Sequence, residues 1–499
     1  MKWSLLLIAS VTAGGAPAIR APLQRVGLDT TIRVTLLHLN DVYEIAPLEQ
    51  GRHGGLARVA TIRRQLLAAN PHTYTVLSGD LFSPSALGSA PYDGGQLNGR
   101  QMVSVLNTMG LDVATFGNHE FDLARAAFED RLRESRFQWV SSNVRDSLGT
   151  PFDGVATHLI LRVTDRRWGA QTLRIGMVGV TITSNRARYV RYLDPITAAR
   201  TEARAIRDSV DILIALTHLS LPEDRELVEA APEVDLVLGG HEHENWQVWR
   251  GPNLTPILKA DANARTVDVV ELAMNPRTHR PRISSRLVSI TDSIAEDSAT
   301  AQVVSCWLGV AYAGFRAAGF EPTAVVAEIP AQLDGRESVV RQDSTALTGL
   351  IGEALLREAP GSAVSIYNSG SIRIDDVVPP GPVSQYDVMR ILPFGGKVLS
   401  LEMRGRLLRR VLDRGLQNRG AGGYLQVRGA ARDSFGTWTV RGQPITDDRW
   451  YPLAINDYLV SGRASELDSL NRANADIRGL RELRDIRAAV IDELRRTYP

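Results

Sequence analysis

The chain has 499 residues, 44% of them hydrophobic and 23% charged, and a formal net charge of +1 from 57 basic and 56 acidic side chains. This composition is typical of a folded protein of about two to four domains, and it excludes a collagen, a coiled coil and wholesale disorder. Because no block of like charge stands out, nucleic acid is not expected as a partner, and the single cysteine, Cys306, excludes an intramolecular disulfide and a cysteine-based metal site.

The first 18 residues are typical of an export signal. Lys2 precedes an apolar run over 3–11, and small residues follow, with cleavage expected after Ala13 or Ala18. The apolar run is too short to span a bilayer, and no later stretch approaches the roughly 18 apolar residues that a span needs. We therefore expect an exported protein, periplasmic or extracellular, without stable membrane insertion after signal removal. The alternative is an uncleaved N-terminal anchor.

Residues 29–290 alternate between strand-like and helix-like segments, which is typical of an α/β domain. A helix over 56–67 follows two glycines. Strands are predicted at 32–39, 73–77, 113–116, 137–140, 173–180, 211–216 and 234–238. A long helical segment, 295–318, is predicted within a connector over 291–321. The second domain, over 322–499, is predicted to hold a helix near 346–357 and strands near 363–367, 398–403 and 438–440.

Polar side chains follow five of these predicted strands directly. They are Asp41, Asp80, Asn118, His218, His241 and His243, the last two behind one strand. Each alone is typical of a turn, but α/β sheets bind ligands beyond the carboxyl ends of their strands, so together they indicate one site. Oxygen and nitrogen donors without a thiolate suit Mn, Zn, Fe or Co. Two divalent ions about 3.5–4 Å apart, bridged by Asp80, would clamp a phosphate and generate a hydroxide at neutral pH.

Five short motifs resemble the signature of the calcineurin-like metallophosphoesterases. They are Asn40-Asp41, Gly79-Asp80, Gly117-Asn118-His119-Glu120, Thr217-His218 and Gly240-His241-Glu242-His243. More narrowly, the chain resembles the 5′-nucleotidase family, which includes periplasmic nucleotidase/UDP-sugar hydrolases and ecto-5′-nucleotidases. The resemblance implies a four-layer α/β/β/α metallophosphoesterase domain over 29–290, an interdomain helix over 291–321 and a C-terminal α+β substrate-binding domain over 322–499.

The resemblance also implies roles for the motif residues. One metal ion would bind Asp41, Asp80 and His243, and the other would bind Asp80, Asn118, His218 and His241. His119 would be the catalytic residue that stabilises the phosphoryl oxygens and the leaving group; the alternative is a histidine that only supports the metal ligands. Asp122, three residues on, is suited to hold the His119 imidazole as its cation.

The chain departs from the family at Tyr43, where most members have the histidine of an Asp-x-His motif. A neutral phenol, with a reference pKa of about 10, is a weak metal ligand. Either the first metal ion gains a phenolate ligand, which favours a harder, trivalent ion, or it loses one protein ligand. The interpretation favoured from the sequence is an aromatic side chain packed near the site.

Two segments of the second domain resemble the family's substrate-binding loops. In residues 368–373 the resemblance implies that Asn368 contacts the base or ribose and Arg373 the nucleotide; in residues 422–427 it implies that Tyr424 stacks on the nucleobase. The family's second stacking ring is missing from the run that follows Leu459, where Arg463 is the alternative stacking group. The expected partner is a small nucleotide, and the oligomeric state stays open.

The leading hypothesis is therefore two-metal hydrolysis of nucleoside 5′-monophosphates to nucleoside and phosphate, a nucleotide-catabolic activity. The first alternative is hydrolysis of 2′,3′-cyclic nucleotides or UDP-sugars at the same centre. The second is a non-catalytic binding protein with a decayed site. Tyr43 and the missing ring favour the decayed site, whereas the complete set of predicted metal-binding side chains opposes it.

Overall fold

The computed structural model describes residues 31–164, 172–185, 187–274, 281–462, 467 and 470–499. The predicted export signal, 1–18, and Arg463 lie outside the described residues. Among the helices that the structure describes, we find none with both the length and the apolarity needed to cross a membrane.

Two β-sheets dominate the N-terminal half of the described chain. The first sheet has the strand order Pro281–Ser289, Thr266–Met274, Ile32–Leu39, Thr73–Ser78, Val113–Thr115, Gln138–Val140 and Val155–Ala156. The second has the order Trp246–Arg250, Thr255–Lys259, Leu236–Gly239, Ile212–His218, Thr172–Thr181 and His158–Thr164. The central strands of both sheets run parallel, so their carboxyl ends share one edge within each sheet.

Four layers result from the packing of these sheets and their helices. Side chains such as Val34, Ile175 and Ile214 form the apolar core between the two sheets. The outer face of the first sheet is covered by the helices Leu56–Ala69, Arg100–Met109, Arg125–Glu134 and Ser298–Ala317. The outer face of the second sheet is covered by Pro195–Ile206 and Leu221–Ala230. The predicted α/β/β/α architecture is confirmed.

The predicted connector helix packs on the N-terminal half of the described chain. It runs over Ser298–Ala317 and begins at Asp297, whose carboxylate accepts a hydrogen bond from the backbone N–H of Thr300. Val304, Ala311 and Phe315 are buried on its inner face, against the core of the first sheet. The helix ends before Gly319, which has a φ of 89°.

The C-terminal half is built on a third sheet with helices on both faces. Its strand order is Leu425–Arg428, Val364–Asn368, Trp450–Asn456, Lys397–Arg404 and Ile477–Asp485. One face packs on the helices Ala346–Glu358, Gln385–Ile391 and Ile486–Thr497, and the other on Gly405–Gln417. This mixed α and β domain matches the predicted class.

Shorter elements complete the described chain. The small strand pairs are Pro91–Tyr92 with Gly95–Gln96, Val144–Asp146 with Val190–Tyr192, Val325–Ile329 with Gly381–Ser384, and Leu333–Asp334 with Val377–Val378. A three-stranded sheet joins Ala430–Arg432, Trp438–Val440 and Gln443–Pro444. The short helices are Leu87–Ser89, His119–Asp122, Arg207–Ser209, Ala262–Ala264, Glu337–Val340, Ser369–Ser371 and Asp457–Val460.

Candidate active site

Strand ends from both N-terminal sheets deliver the predicted metal-binding side chains. Asp41 and Asp80 follow neighbouring parallel strands of the first sheet, with left-handed φ angles of 52° and 56°. Asn118 follows the next strand of that sheet. The three histidines come from the second sheet, where His218 ends its strand and His241 and His243 follow the neighbouring one. The site therefore lies where the edges of two sheets meet, not at the edge of one.

Two carboxylates and an imidazole form a buried cluster at this edge. Asp41, Asp80 and His218 each offer one donor atom within 4.8 Å of the others. His218 Nδ1 donates to the carbonyl oxygen of Ser78 at 2.8 Å, which directs Nε2 at Asp80 Oδ2, 3.3 Å away. Burial disfavours the imidazolium, but Asp80 and then Asp41 outweigh it and raise the pKa of His218 to about 9. The cluster thus attracts positive charge strongly.

Two buried atoms test whether a metal ion fits this cluster. Within the described residues, His218 Nε2 and Asn118 Oδ1 are buried and lack a hydrogen-bond partner. Buried polar atoms of native proteins are nearly always paired, so orphaned atoms beside carboxylates call for an ion. Nitrogen and oxygen donors are also ligands that divalent transition metals accept. The residues present therefore fit a metal centre.

His241 lies beside the cluster as a neutral imidazole. Its backbone N–H donates to Asp41 Oδ2 at 2.9 Å, and its ring contacts that of His218 edge-on, with centroids 5.4 Å apart. Burial, reinforced by His218, lowers the pKa of His241 to about 4. A neutral histidine keeps a lone pair available for a metal ion.

Tyr43 enters the same cluster through its hydroxyl group. The ring is buried, as the packed-aromatic interpretation requires. Its oxygen, however, lies 3.2 Å from Asp41 Oδ1, 3.1 Å from Asp80 Oδ2 and 3.0 Å from His243 Nε2. Tyr43 therefore contacts all three side chains that the family resemblance assigns to the first metal ion.

His119 and Asp122 are brought together on one short helix. His119 Nδ1 lies 2.8 Å from Asp122 Oδ2, and Asn185 and Ser83 also donate to that carboxylate. Burial opposes ionisation of Asp122, but the neighbouring His119 keeps its pKa below the ordinary value. An ionised Asp122 fixes the imidazole so that Nε2 points away from it.

The C-terminal domain reaches this histidine directly. Arg373 Nη2 lies 2.6 Å from His119 Nε2, and Arg373 Nη1 pairs with Glu337 at 2.9 Å. Two residues further along, the Asp375 carboxylate contacts His243 Nδ1 and accepts a hydrogen bond from the backbone N–H of Glu337 at 2.5 Å. Each domain therefore contributes side chains to a single site.

Glu120 has a structural role that the motif alone did not suggest. Its carboxylate accepts hydrogen bonds from the backbone N–H groups of Asp80, Leu81 and Gly117 at 3.0, 2.7 and 2.5 Å. It thereby holds the loop that carries Asp80 against the loop that carries Asn118. Glycine is needed where these loops meet, because a Cβ on Gly117 would lie 2.1 Å from Asp80 Oδ1.

The predicted substrate-binding residues lie on adjoining loops of the C-terminal domain. The backbone N–H of Ser369 donates to the carbonyl oxygen of Tyr424 at 2.8 Å, which joins the two segments. Asn368 is buried and accepts hydrogen bonds from Asn456 and Ser371 at 3.0 and 2.7 Å. Tyr424 is half-buried. Arg373 alone of the three predicted residues touches the predicted catalytic histidine.

No role was predicted from the sequence for three residues of the site, Asp375, Glu337 and Glu120. The position of Asp375 could have identified it, because it lies two residues beyond the segment over 368–373 that the family resemblance assigns to the substrate. Glu120 stands within the Gly-Asn-His-Glu motif but received no role. No sequence pattern around Glu337 indicated a role in the site.

Family comparisons agree with this architecture. The model of the calcineurin-like phosphoesterases matches residues 34–245, and that of the 5′-nucleotidase C-terminal domain matches residues 325–466. The fold, the metal-binding cluster and these matches define a metal-dependent phosphoester hydrolase of the calcineurin-like class.

Individual relatives indicate the family within this class of hydrolases. A snake venom 5′-nucleotidase of Gloydius brevicauda is 24% identical, over 80% of this chain and 73% of that protein. The 5′-nucleotidase of Vibrio cholerae is also 24% identical, over 80% of this chain and 79% of that one. The crystal structure of a 5′-nucleotidase precursor from Thermus thermophilus superimposes with a TM-score of 0.75 at 22% identity, covering 94% of this chain and 97% of that one. The chain belongs to the 5′-nucleotidase family.

Proposed function

We propose that the protein hydrolyses nucleoside 5′-monophosphates to nucleoside and phosphate with the aid of two divalent metal ions. One observation carries the proposal: His119, held by Asp122, borders the buried metal-binding cluster and meets Arg373 of the other domain at 2.6 Å. A phosphoryl group bound at this junction would face the metal cluster on one side and two hydrogen-bond donors on the other. The family's 5′-nucleotidases support the choice of a nucleotide.

The ions would be Mn, Zn, Fe or Co, and six side chains in two sets would hold them, with Asp80 in both sets. The first set is Asp41, Asp80 and His243; the second is Asp80, Asn118, His218 and His241. Bound there, divalent ions would act as Lewis acids toward the phosphoryl oxygens and activate water at neutral pH.

His119 and Asp122 would act on the leaving group. In the structure, His119 Nε2 accepts a hydrogen bond from Arg373. With phosphate bound to Arg373 in place of this contact and Nδ1 donating to Asp122, a protonated His119 would present its Nε2 proton to the ester oxygen and transfer it as the bond to phosphorus breaks. Asp122 stays ionised and holds the ring during this transfer, since its pKa lies below the ordinary value. The alcohol group of the nucleoside is then released neutral.

Arg373 would bind the phosphoryl group rather than the nucleoside. Its contact with His119 supports this position, and a guanidinium offers paired donors that match phosphate oxygens. Glu337 pairs with the same guanidinium and fixes its orientation. Asn368 and Tyr424, on the neighbouring loops, are left to contact the ribose and the base.

We also propose that the protein is exported. The pattern of residues 1–18, and the precursor form of one structural relative, support a periplasmic or extracellular location. Cell fractionation with an antibody against the protein would test it; a cytoplasmic protein of unprocessed mass would contradict it.

A hydrolysis panel with metal analysis tests the activity. The purified protein, its metal content measured, is given AMP, UDP-glucose, a 2′,3′-cyclic nucleotide and p-nitrophenyl phosphate. We expect metal-dependent release of phosphate from AMP with the highest kcat/KM. Preference for a diester would assign the alternative activity, and loss of all hydrolysis with a full complement of metal would indicate a binding protein.

A further inference from the structure

The phenol oxygen of Tyr43 lies among more hydrogen-bond acceptors than one proton can satisfy. Two carboxylate oxygens, of Asp41 and Asp80, lie within 3.2 Å of it, and ionised carboxylates only accept hydrogen bonds. The third neighbour is His243 Nε2, at 3.0 Å. A hydroxyl group donates once, so at least one of the two carboxylate contacts brings lone pairs together unless a positive charge lies between them.

Asp375 directs the lone pair of His243 into the same space. Its carboxylate contacts His243 Nδ1, and a carboxylate holds the proton of an imidazole on the nitrogen nearest to it. His243 Nε2 is then free to present its lone pair to the phenol oxygen. Carboxylate–histidine pairs of this kind commonly orient metal-bound histidines.

The spacing of the four atoms is that of metal ligands. Besides the three contacts of the phenol oxygen, His243 Nε2 lies 3.5 Å from Asp41 Oδ1. Ligand atoms about 2.0–2.2 Å from one ion lie about 2.8–3.6 Å apart in octahedral or tetrahedral geometry. Four of the six separations among these atoms are 3.0–3.5 Å and fall within that range. The phenol oxygen takes part in three of the four, so an ion bound by Asp41, Asp80 and His243 would have this oxygen within reach.

We propose that Tyr43 is itself a ligand of the first metal ion, bound through its phenolate oxygen in the place of the family's usual histidine. The phenol proton passes to solvent as the ion binds, because a bound cation favours the anionic form of its ligands. The first ion then contacts three anionic oxygens and one nitrogen. This assignment rests on the metal-dependent activity proposed above and replaces the packed-aromatic interpretation.

The extra anionic oxygen gives the first site a metal preference. Oxygen donors suit manganese, and a hard phenolate suits ferric iron, whereas imidazole nitrogen suits zinc well. Replacement of a neutral nitrogen ligand by a phenolate therefore favours manganese or iron over zinc. Tyr43→His, which restores the family's ligand, removes this preference.

Iron serves as a spectroscopic probe of the phenolate bond. The full chain is stripped of metal and loaded with Fe³⁺, because a phenolate bound to ferric iron absorbs strongly in the visible range and carboxylate or histidine ligands do not. We expect the band in the wild type and its loss in Tyr43→Phe. The control is Tyr189→Phe, since Tyr189 donates to the carbonyl oxygen of Leu123 at 2.8 Å and is given no metal role; it should keep the band. Circular dichroism verifies that each variant folds.

Metal competition provides the second readout. Wild type and Tyr43→His are equilibrated with equal Mn²⁺ and Zn²⁺, and the bound metals are measured. We expect Tyr43→His to shift the bound ratio toward zinc by at least about 10-fold. The assignment is overturned if iron-loaded wild type lacks the band, if Tyr43→Phe keeps it, or if the ratio does not change.

The two proposals fail in different ways. A wild-type protein that shows the ferric band but cleaves no AMP contradicts the proposed function and supports Tyr43 as a ligand. Cleavage of AMP by an iron-loaded protein without the band supports the function and overturns the ligand assignment.

Discussion

The two sides of the active site are built on different principles. On the metal side, side chains stand directly behind buried parallel strands, and hydrogen bonds to neighbouring backbone fix them in place. On the other side, one loop over 368–376 carries Arg373 and Asp375 across the domain boundary to His119 and His243, partners 254 and 132 residues away in the chain. Chemistry is therefore concentrated in one domain, while the orientation of two of its histidines depends on the other.

The strongest test of the metal side is Asp80→Asn. This change removes the charge that attracts both ions and the cation of His218, so we expect hydrolysis to fall by at least about three orders of magnitude. Steady-state rates and metal content are measured together, with the exposed Asp153→Asn as the control. Retention of near-normal activity with a single metal ion would contradict the two-metal mechanism.

His119→Asn separates proton transfer from metal binding. We expect both ions to remain, because His119 is not assigned as a ligand, and kcat to fall by roughly 10²–10⁴. His158→Asn is the matched control, since His158 pairs with Glu202 away from the predicted metal-binding residues. A parallel loss of metal and activity would make His119 a ligand instead.

Arg373→Ala tests which end of the substrate the C-terminal loop holds. Loss of a charged hydrogen bond of about 1.5–3 kcal/mol to the phosphoryl group should lower kcat/KM by about 10–100-fold. Because the contact is with His119, AMP and p-nitrophenyl phosphate should lose similar factors. A loss confined to AMP would place Arg373 at the nucleoside end of the substrate instead.

Asp375→Asn tests whether the second domain helps to hold metal. Since Asp375 orients His243, we expect the affinity of the first site to fall by about 10–100-fold, measured by competition with a chromophoric chelator. The neighbouring Asp376→Asn is the control, because Asp376 also crosses the domain boundary but pairs with Arg265. Equal losses in both variants would mean that domain contact matters and that orientation of His243 does not.

Tyr424→Ala should have the smallest effect, and the effect should be confined to the nucleotide substrate. Loss of base stacking, about 1–3 kcal/mol, should raise KM for AMP by roughly 10-fold and leave p-nitrophenyl phosphate nearly unchanged. Phe435→Ala, which removes an exposed ring of the same domain, is the control. Equal changes for both substrates would mean that Tyr424 shapes the metal side; no change would place the base elsewhere.

The features that could be predicted from the sequence are those that depend on residues within one helix or strand. The strand over 32–39 was found from its β-branched and apolar content, and the helix over 56–67 from its helical periodicity, because each pattern reflects burial of the element itself. Asp41 and Asp80 were found because strand ends are where α/β sheets place ligands. These inferences need only the order of residues within one element.

The remaining contacts depend on how distant elements pack. The pairing of Asp375 with His243 requires two domains to meet, and no periodicity encodes that meeting. The position of the Tyr43 hydroxyl follows from the convergence of two sheets, which no pattern within a single strand encodes. The Glu120 carboxylate accepts hydrogen bonds from backbone N–H groups of a loop 38–40 residues away in the chain. Its acidic character alone could not identify these partners.

The packing of the helix Ser298–Ala317 decides where the chain can be divided. Division at residue 290, the end of the predicted catalytic domain, would strip a buried face from the first sheet and expose Val304, Ala311 and Phe315 to water. A fragment that ends beyond Gly319 keeps that face covered. Residues 319–324 then link this fragment to the C-terminal half, where the backbone N–H groups of Gln385 and Tyr386 donate to the carbonyl oxygens of Ala324 and Pro322.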